Sequence, residues 1–206
     1  MRAIVVTGTD TDVGKTVFAA ALTAALGASY WKPVQAGTDG GTDSHRVAML
    51  GGIPADRIVP EAYRLATPCS PHRAAEREGV SIDPARLVLP EVTPLVVEGA
   101  GGVLVPVTAD CVCADLFARW AMPVVVVART GLGTINHSLL TIEALRRRQV
   151  PILGIAFSGT AAEDSEATVA RLGGVKRLGR LPRLTTLDPA TLATGFAANF
   201  RIEDFV

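Results

Sequence analysis

Short runs that are apolar throughout, separated by stretches with helical spacing, set the rhythm of this chain. Ala3-Ile4-Val5-Val6, Pro94-Leu95-Val96-Val97, Val124 to Ala128 and Ile152 to Phe157 lack the polar alternation of a half-exposed strand. They read as strands buried on both faces of a parallel sheet. Ser29 to Val34 reads as a further strand that Pro33 ends or holds at its C-terminal edge. Arg177 to Leu181 reads as a short strand and Arg57 to Leu65 as extended chain. Helical stretches fill the intervals. Val17 to Leu26 is rich in alanine and stops at Gly27. Ser44 to Leu50 follows Asp43, which stands at the N-cap position, and closes at Gly51-Gly52. His72 to Glu78 stops at Gly79, and Asp83-Pro84 has the form of an N-cap followed by proline at the first helical position. Ala114 to Ala121, Glu163 to Leu172 and an alanine-rich stretch from Asp188 onward complete the set with Thr134 to Arg148, where Ile135, Leu139, Ile142 and Leu145 share one face. Strand–helix units repeated in this way predict an α/β fold, a mostly parallel sheet covered by helices on both faces. With no internal repeat or linker, residues 1–206 are expected to form a single domain.

Composition narrows the function classes. The 20 basic and 20 acidic residues cancel, so nothing favours nucleic acid or an anionic membrane as partner. No apolar run reaches the length of a membrane span, and the first apolar stretch is a strand rather than a secretory leader, so a cytoplasmic location is expected. Cys69, Cys111 and Cys113 lack a second Cys/His pair at metal-binding spacing and read as reduced thiols. Arg146-Arg147-Arg148 sits in the last turn of its helix, where cations suit the dipole, and needs no ligand to explain it.

Chemistry enters with Gly8-Thr9-Asp10-Thr11-Asp12-Val13-Gly14-Lys15-Thr16, placed between the first strand and the first helix. Strand, glycine-punctuated loop, Gly-Lys-Thr and helix is the layout of a phosphate-binding loop. The amides of the first helical turn have no intrahelical partners and favour an anion. Lys15 adds a positive charge for the β- and γ-phosphates, and Thr16 a hydroxyl for Mg²⁺. Five residues separate Gly8 from Gly14, where the common pattern has four. A strand–turn–helix corner with an incidental Gly-Lys-Thr is the plain alternative, disfavoured by the flanking elements.

In parallel sheets, ligands collect at the C-terminal ends of strands. There stand Lys32, the glycine-rich loop leading to Asp43, Glu98, Thr130 to His137, and Ser158-Gly159. Two lysines and two acids thus converge beside the loop, and a carboxylate ending an apolar strand is how phosphate-loop proteins support Mg²⁺. Singly, Asp43 is equally an N-cap, Glu98 a paired acid and Lys32 a solvated strand end; their joint placement favours the functional reading.

The nine-residue loop, Lys32-Pro33-Val34-Gln35, Ser70-Pro71-His72, Val97-Glu98-Gly99-Ala100-Gly101-Gly102 and Leu132-Gly133-Thr134-Ile135-Asn136-His137 together resemble the dethiobiotin synthetases, in the family's order and over most of the chain. The resemblance implies a homodimeric ATP- and Mg²⁺-dependent ligase with a phosphate-loop NTPase-like fold. Its substrates would be 7,8-diaminononanoate (7,8-diaminopelargonate), CO₂ and ATP, and its reaction would close the cyclic urea of dethiobiotin through a carbamate and a carbamic–phosphoric anhydride, releasing ADP and phosphate. By resemblance, Lys15, Lys32 and Thr11 are catalytic, and Thr16, Asp43 and Glu98 hold Mg²⁺. Asp12, Val13, Gly14, Lys15, Thr16 and Val17, with Asp43, Glu98, Gly99, Ala100 and Gly101, bind nucleotide. Ser158, Gly159, Pro182, Arg183 and Leu184 extend that contact toward the base. Thr11, Lys32 and Ser70 touch the diamine substrate, while Gly133 and Asn136 reach its carboxylate from the partner subunit at a helix N-terminus suited to an anion.

Two departures from the family pattern stand out. Ala36 follows Lys32-Pro33-Val34-Gln35, where the family usually places a hydroxyl near the carbamate. Ser158-Gly159 stands where members often carry an asparagine that reads adenine. Among rival classes, a partitioning or cell-division switch ATPase typically carries a lysine at the position of Asp10. The tail Phe200 to Val206, with one base and two acids, is also a poor membrane anchor. An amidotransferase-type synthetase lacks its glutaminase here, and a GTPase lacks an Asn-Lys-x-Asp segment.

Overall fold

The computed structural model describes residues 2–206. In chain order its strands and helices are β1 (Ala3–Gly8), α1 (Lys15–Leu26), β2 (Ser29–Trp31), β3 (Val34–Ala36), α2 (Asp43–Gly51), β4 (Ile58–Val59), β5 (Tyr63–Leu65), α3 (Pro71–Glu78), β6 (Leu95–Gly102), α4 (Cys113–Trp120), β7 (Val124–Arg129), α5 (Thr134–Arg147), β8 (Ile152–Ser158), α6 (Glu163–Gly173), β9 (Arg177–Leu181) and α7 (Pro189–Asn199). Seven strands pair in the order β4-β2-β6-β1-β7-β8-β9, and every pairing is parallel.

Both faces of this sheet are dry, which explains the unbroken apolar runs. Along β1, Ala3 and Val5 pack into one core while Ile4 and Val6 pack into the other. The same parity divides Val124, Val126 and Ala128 from Val125 and Val127 in β7. Each fully buried valine contributes about 1.5–3 kcal/mol, so a strand sealed on both sides tolerates no polar alternation. One core is built around Trp31, Phe117, Trp120 and Phe157; the other around Phe18, Phe196, Phe200 and Phe205. No helix among the described residues is long and apolar enough to cross a membrane.

The strand expected over Ser29 to Val34 is divided. β2 ends at Trp31, and Val34–Ala36 pairs instead with β5 in a separate two-stranded parallel sheet. Pro33 has no N–H to continue the ladder, while its carbonyl accepts from the amides of Ala62 and Tyr63. The extended segment from Arg57 to Leu65 correspondingly splits into β4, on the edge of the large sheet, and β5. Asp83-Pro84 opens a single 3₁₀ turn rather than an α-helix, with the Asp83 carboxylate accepting from the Ala85 amide.

Candidate active site

Gly8 and Gly14 shape the loop between β1 and α1. A Cβ on Gly8 would lie 2.8 Å from Val13 and 2.9 Å from the Asp10 carbonyl, so the chain can fold back on itself only around glycine. Gly14 has φ of 97°, and a Cβ there would stand 2.6 Å from the Ser158 hydroxyl at the end of β8. It caps α1 without a side chain, which leaves the first-turn amides free for an anion. The Lys15 Nζ donates to the Asp10 carbonyl at 2.6 Å, so the side chain arches back over the loop. Burial, helped by the nearby Lys32 charge, lowers the Lys15 pKa.

Four further groups meet beneath the loop. The Thr16 hydroxyl lies 2.9 Å from Glu98 Oε1 and 3.1 Å from Asp43 Oδ1. Lys32 Nζ lies 2.8 Å from Asp43 Oδ2 and 3.2 Å from Glu98 Oε1, and donates to the Gly99 carbonyl at 3.0 Å. Burial alone would lower the Lys32 pKa; the charges of Glu98 and Asp43 outweigh it and push it up to about 12. Burial likewise favours the neutral form of Asp43, but Lys32 and the Thr16 hydrogen bond hold its carboxyl below the usual range. Asp43 does not cap its helix. Thr42 does, accepting from the His45 amide at 3.1 Å, and this frees the Asp43 carboxylate to face Thr16 and Lys32.

Two residues that sequence reasoning passed over hold this cluster in place. Gln35 accepts from the Asp43 amide at 2.9 Å and donates to the Ala36 and Gly37 carbonyls, tying the glycine-rich loop to the start of α2. Tyr30, fully buried, donates its hydroxyl to Glu98 Oε2 at 2.9 Å. Strand parity hints at this contact, since Tyr30 and Glu98 occupy same-face positions of β2 and β6, but only the pairing of those two strands brings them together.

Lys15, Thr16, Lys32, Gln35, Asp43 and Glu98 line a cavity of about 600 Å³, with Tyr30 outside its lining. Thr11, Asp12, Gly14, Lys15, Thr16 and Val17 form one wall, and Lys32, Asp43, Glu98, Ala100 and Gly101 the floor beside Ser70. Arg46, one turn along α2 from Asp43, also reaches it. Val13 is buried behind the loop, and Gly99 presents its carbonyl to Lys32. Ser158, Gly159, Pro182, Arg183 and Leu184 lie outside the cavity lining, at the ends of β8 and β9, where Ser158 pairs with Leu181 and touches the Gly14 position. Gly133 and Asn136 are exposed at the start of α5, also outside that lining. Thr16, Asp43 and Glu98 offer one hydroxyl and two carboxylates, a hard oxygen set that suits Mg²⁺. Among the described residues, no group of three or more His, Cys, Asp or Glu side chains is gathered for a metal.

A parallel sheet with Gly-Lys-Thr at the first strand–helix turn makes this a phosphate-loop NTPase-like protein. Solved structures with this fold include a ParA family ATPase from Chlorobium tepidum (TM-score 0.56, 11% identity, covering 94% of this chain and 96% of that one). Another is the cell-division ATPase MinD from Pyrococcus furiosus (TM-score 0.51, 15% identity, covering 96% and 89%). A family model described as an AAA domain matches residues 2–191. The ATP-dependent dethiobiotin synthetase BioD of Novosphingobium aromaticivorans is 67% identical over 205 residues, 100% of both chains. That of Rhizorhabdus wittichii is 64% identical over 205 residues, 99% of this chain and 98% of its own. The chain belongs to the ATP-dependent dethiobiotin synthetase family, and it is an ATP-using ligase of biotin biosynthesis.

Proposed function

We propose that this enzyme joins 7,8-diaminononanoate and CO₂ into the cyclic urea of dethiobiotin, with ATP as phosphoryl donor. The observation that carries this reading is the convergence of Lys15, Lys32, Thr16, Asp43 and Glu98 on one cavity under the phosphate loop. One amine of the substrate adds to CO₂ and loses a proton, giving a carbamate. A carbamate oxygen takes the γ-phosphoryl group, releasing ADP and leaving a carbamic–phosphoric anhydride. The second amine attacks the carbonyl carbon, and the C–O bond to phosphate breaks as the ring closes. Both amines sit on one short chain, so the enzyme's task is positioning and charge neutralisation.

The chain's residues suit that task. Lys32, with its pKa near 12, stays protonated at neutral pH and serves as a cation for carbamate and phosphoryl oxygens, not as the base. Lys15 and the first-turn amides of α1 hold the β- and γ-phosphates, and Thr11 and Ser70 bound the carbamate end of the cavity. Thr16, Asp43 and Glu98 would hold Mg²⁺, which when bound supplies Lewis-acid neutralisation of phosphate charge. The strip from Gly14 past Ser158 and Gly159 to Pro182, Arg183 and Leu184 takes the nucleoside. Gly133 and Asn136 serve the substrate carboxylate of a second copy in a homodimer, and the enzyme works in the cytoplasm.

The test measures ADP release with diaminononanoate, bicarbonate, ATP and Mg²⁺, and again with each left out. ADP release that needs both diamine and bicarbonate is expected. Turnover independent of the diamine would overturn the reading.

A further inference from the structure

We propose that Tyr30 is a positioning residue for Glu98, holding one carboxylate oxygen so that only the other is offered to the reaction cavity. The proposal rests on the reading that Glu98 helps hold Mg²⁺. Tyr30 is 0% exposed, and its hydroxyl donates to Glu98 Oε2 at 2.9 Å. Glu98, 1% exposed, divides its two oxygens: Oε2 meets the phenol, while Oε1 meets Thr16 at 2.9 Å and Lys32 at 3.2 Å. A buried hydroxyl needs a partner; the ring of Tyr30 belongs to the apolar core cluster that includes Ile4, Val6, Phe18 and Val96, and its hydroxyl hydrogen-bonds to Glu98. Phenylalanine would fill that space. The hydroxyl therefore has its one use against Glu98.

The consequence is a fixed carboxylate plane. Without the phenol, Oε2 is left buried with no donor, and the group gains from rotating so that both oxygens compete for Thr16, Lys32 and the metal. Outer partners of this kind typically change metal affinity or activity by about 10–100-fold. Tyr30 should thus act on the metal requirement and the rate, and leave the KM for the diamine unmoved.

Three variants and one labelling experiment test this. Tyr30→Phe is expected to raise the Mg²⁺ concentration for half-maximal activity about tenfold, with a matching weakening of Mg²⁺ binding by calorimetry on enzyme saturated with a non-hydrolysable ATP analogue. Val96→Ala, which thins the same wall without touching the carboxylate, should lower Tm and leave the Mg²⁺ requirement in place. If Tyr30→Phe behaves like Val96→Ala, Tyr30 is only a core residue and the proposal fails. Glu98→Gln separates the two readings. A wild-type Mg²⁺ requirement in that variant removes Glu98 from the metal altogether, whereas a shift there without one in Tyr30→Phe overturns the Tyr30 role alone. Should Tyr30→Phe not fold, the chain's two tyrosines allow 3-fluorotyrosine labelling of the otherwise unaltered protein, with Tyr63→Phe assigning the signals. The Tyr30 ¹⁹F resonance is expected to move when Mg²⁺ joins the nucleotide-saturated enzyme, and a stationary resonance would overturn the proposal.

Discussion

Lys32 and Asp43 meet at 2.8 Å, Nζ to Oδ2, with the lysine side chain 4% exposed and the aspartate 24%. The lysine follows β2 and the aspartate opens α2, so the contact joins the sheet to the first helix beyond the glycine-rich loop. With Glu98 on its other side, Lys32 compensates two carboxylates at once. Stripping one partner from a buried ionic cluster leaves uncompensated charge, and such changes typically cost about 3–5 kcal/mol.

Lys32→Ala is therefore expected to lose both catalysis and stability. Turnover should fall on the order of 10² or more, as when other stabilising charges are removed, and diamine use should weaken more than nucleotide binding. Calorimetry with nucleotide and with diamine separates the two. A collapse of nucleotide affinity alone would reassign Lys32 to the nucleotide.

The same pair gives a pH signature of definite sign. Lys32 is raised from 10.5 to about 12 on folding. Its contribution is thus complete below pH 10.5 and is lost as pH rises through about 12, amounting to about 2 kcal/mol. Asp43, held low, contributes the opposite limb, present above its unfolded pKa and lost as pH falls through its folded one. Chemical denaturation across pH 9 to 12 should show a smaller alkaline loss in Lys32→Met than in the native protein, the remainder coming from the buried Cys113 thiol and Tyr30 phenol, whose pKa values burial also raises. Equal loss in both would mean that Lys32 contributes none of it.

Base selection should be loose. An amide reading a purine edge makes two hydrogen bonds, and sites built that way reject partners that cannot form them. Ser158 has one short hydroxyl, set against the Gly14 position of the phosphate loop, and Gly159 adds only backbone. GTP and CTP are expected to serve within roughly tenfold of ATP, about 1.4 kcal/mol, at fixed diamine. A preference for ATP of a hundredfold or more would mean that backbone groups near Pro182 read adenine unaided.

Local chemistry made much of this molecule readable from its residues. Val124 to Ala128 could only be a strand sealed on both faces, Gly27 and Gly79 do end their helices in the left-handed conformation, and Gly8 through Thr16 declares a phosphate loop because its glycines, lysine and threonine act within one turn of chain. Periodicity, turn geometry and capping involve neighbours a few residues apart, so a linear string records them. What it does not record is which strands lie side by side. Pro33 marks a break in either environment, yet only the docking of Ala62 and Tyr63 onto its carbonyl sends Val34–Ala36 into a second sheet and sets Gln35 against Asp43. Asp43 looked equally like an N-cap until Thr42 took that place. The contact of Thr16 with Glu98 spans 82 positions, and that of Tyr30 with Glu98 spans 68. Both exist because β6 lies between β1 and β2, an order set by the burial of whole sheet faces and by no residue alone.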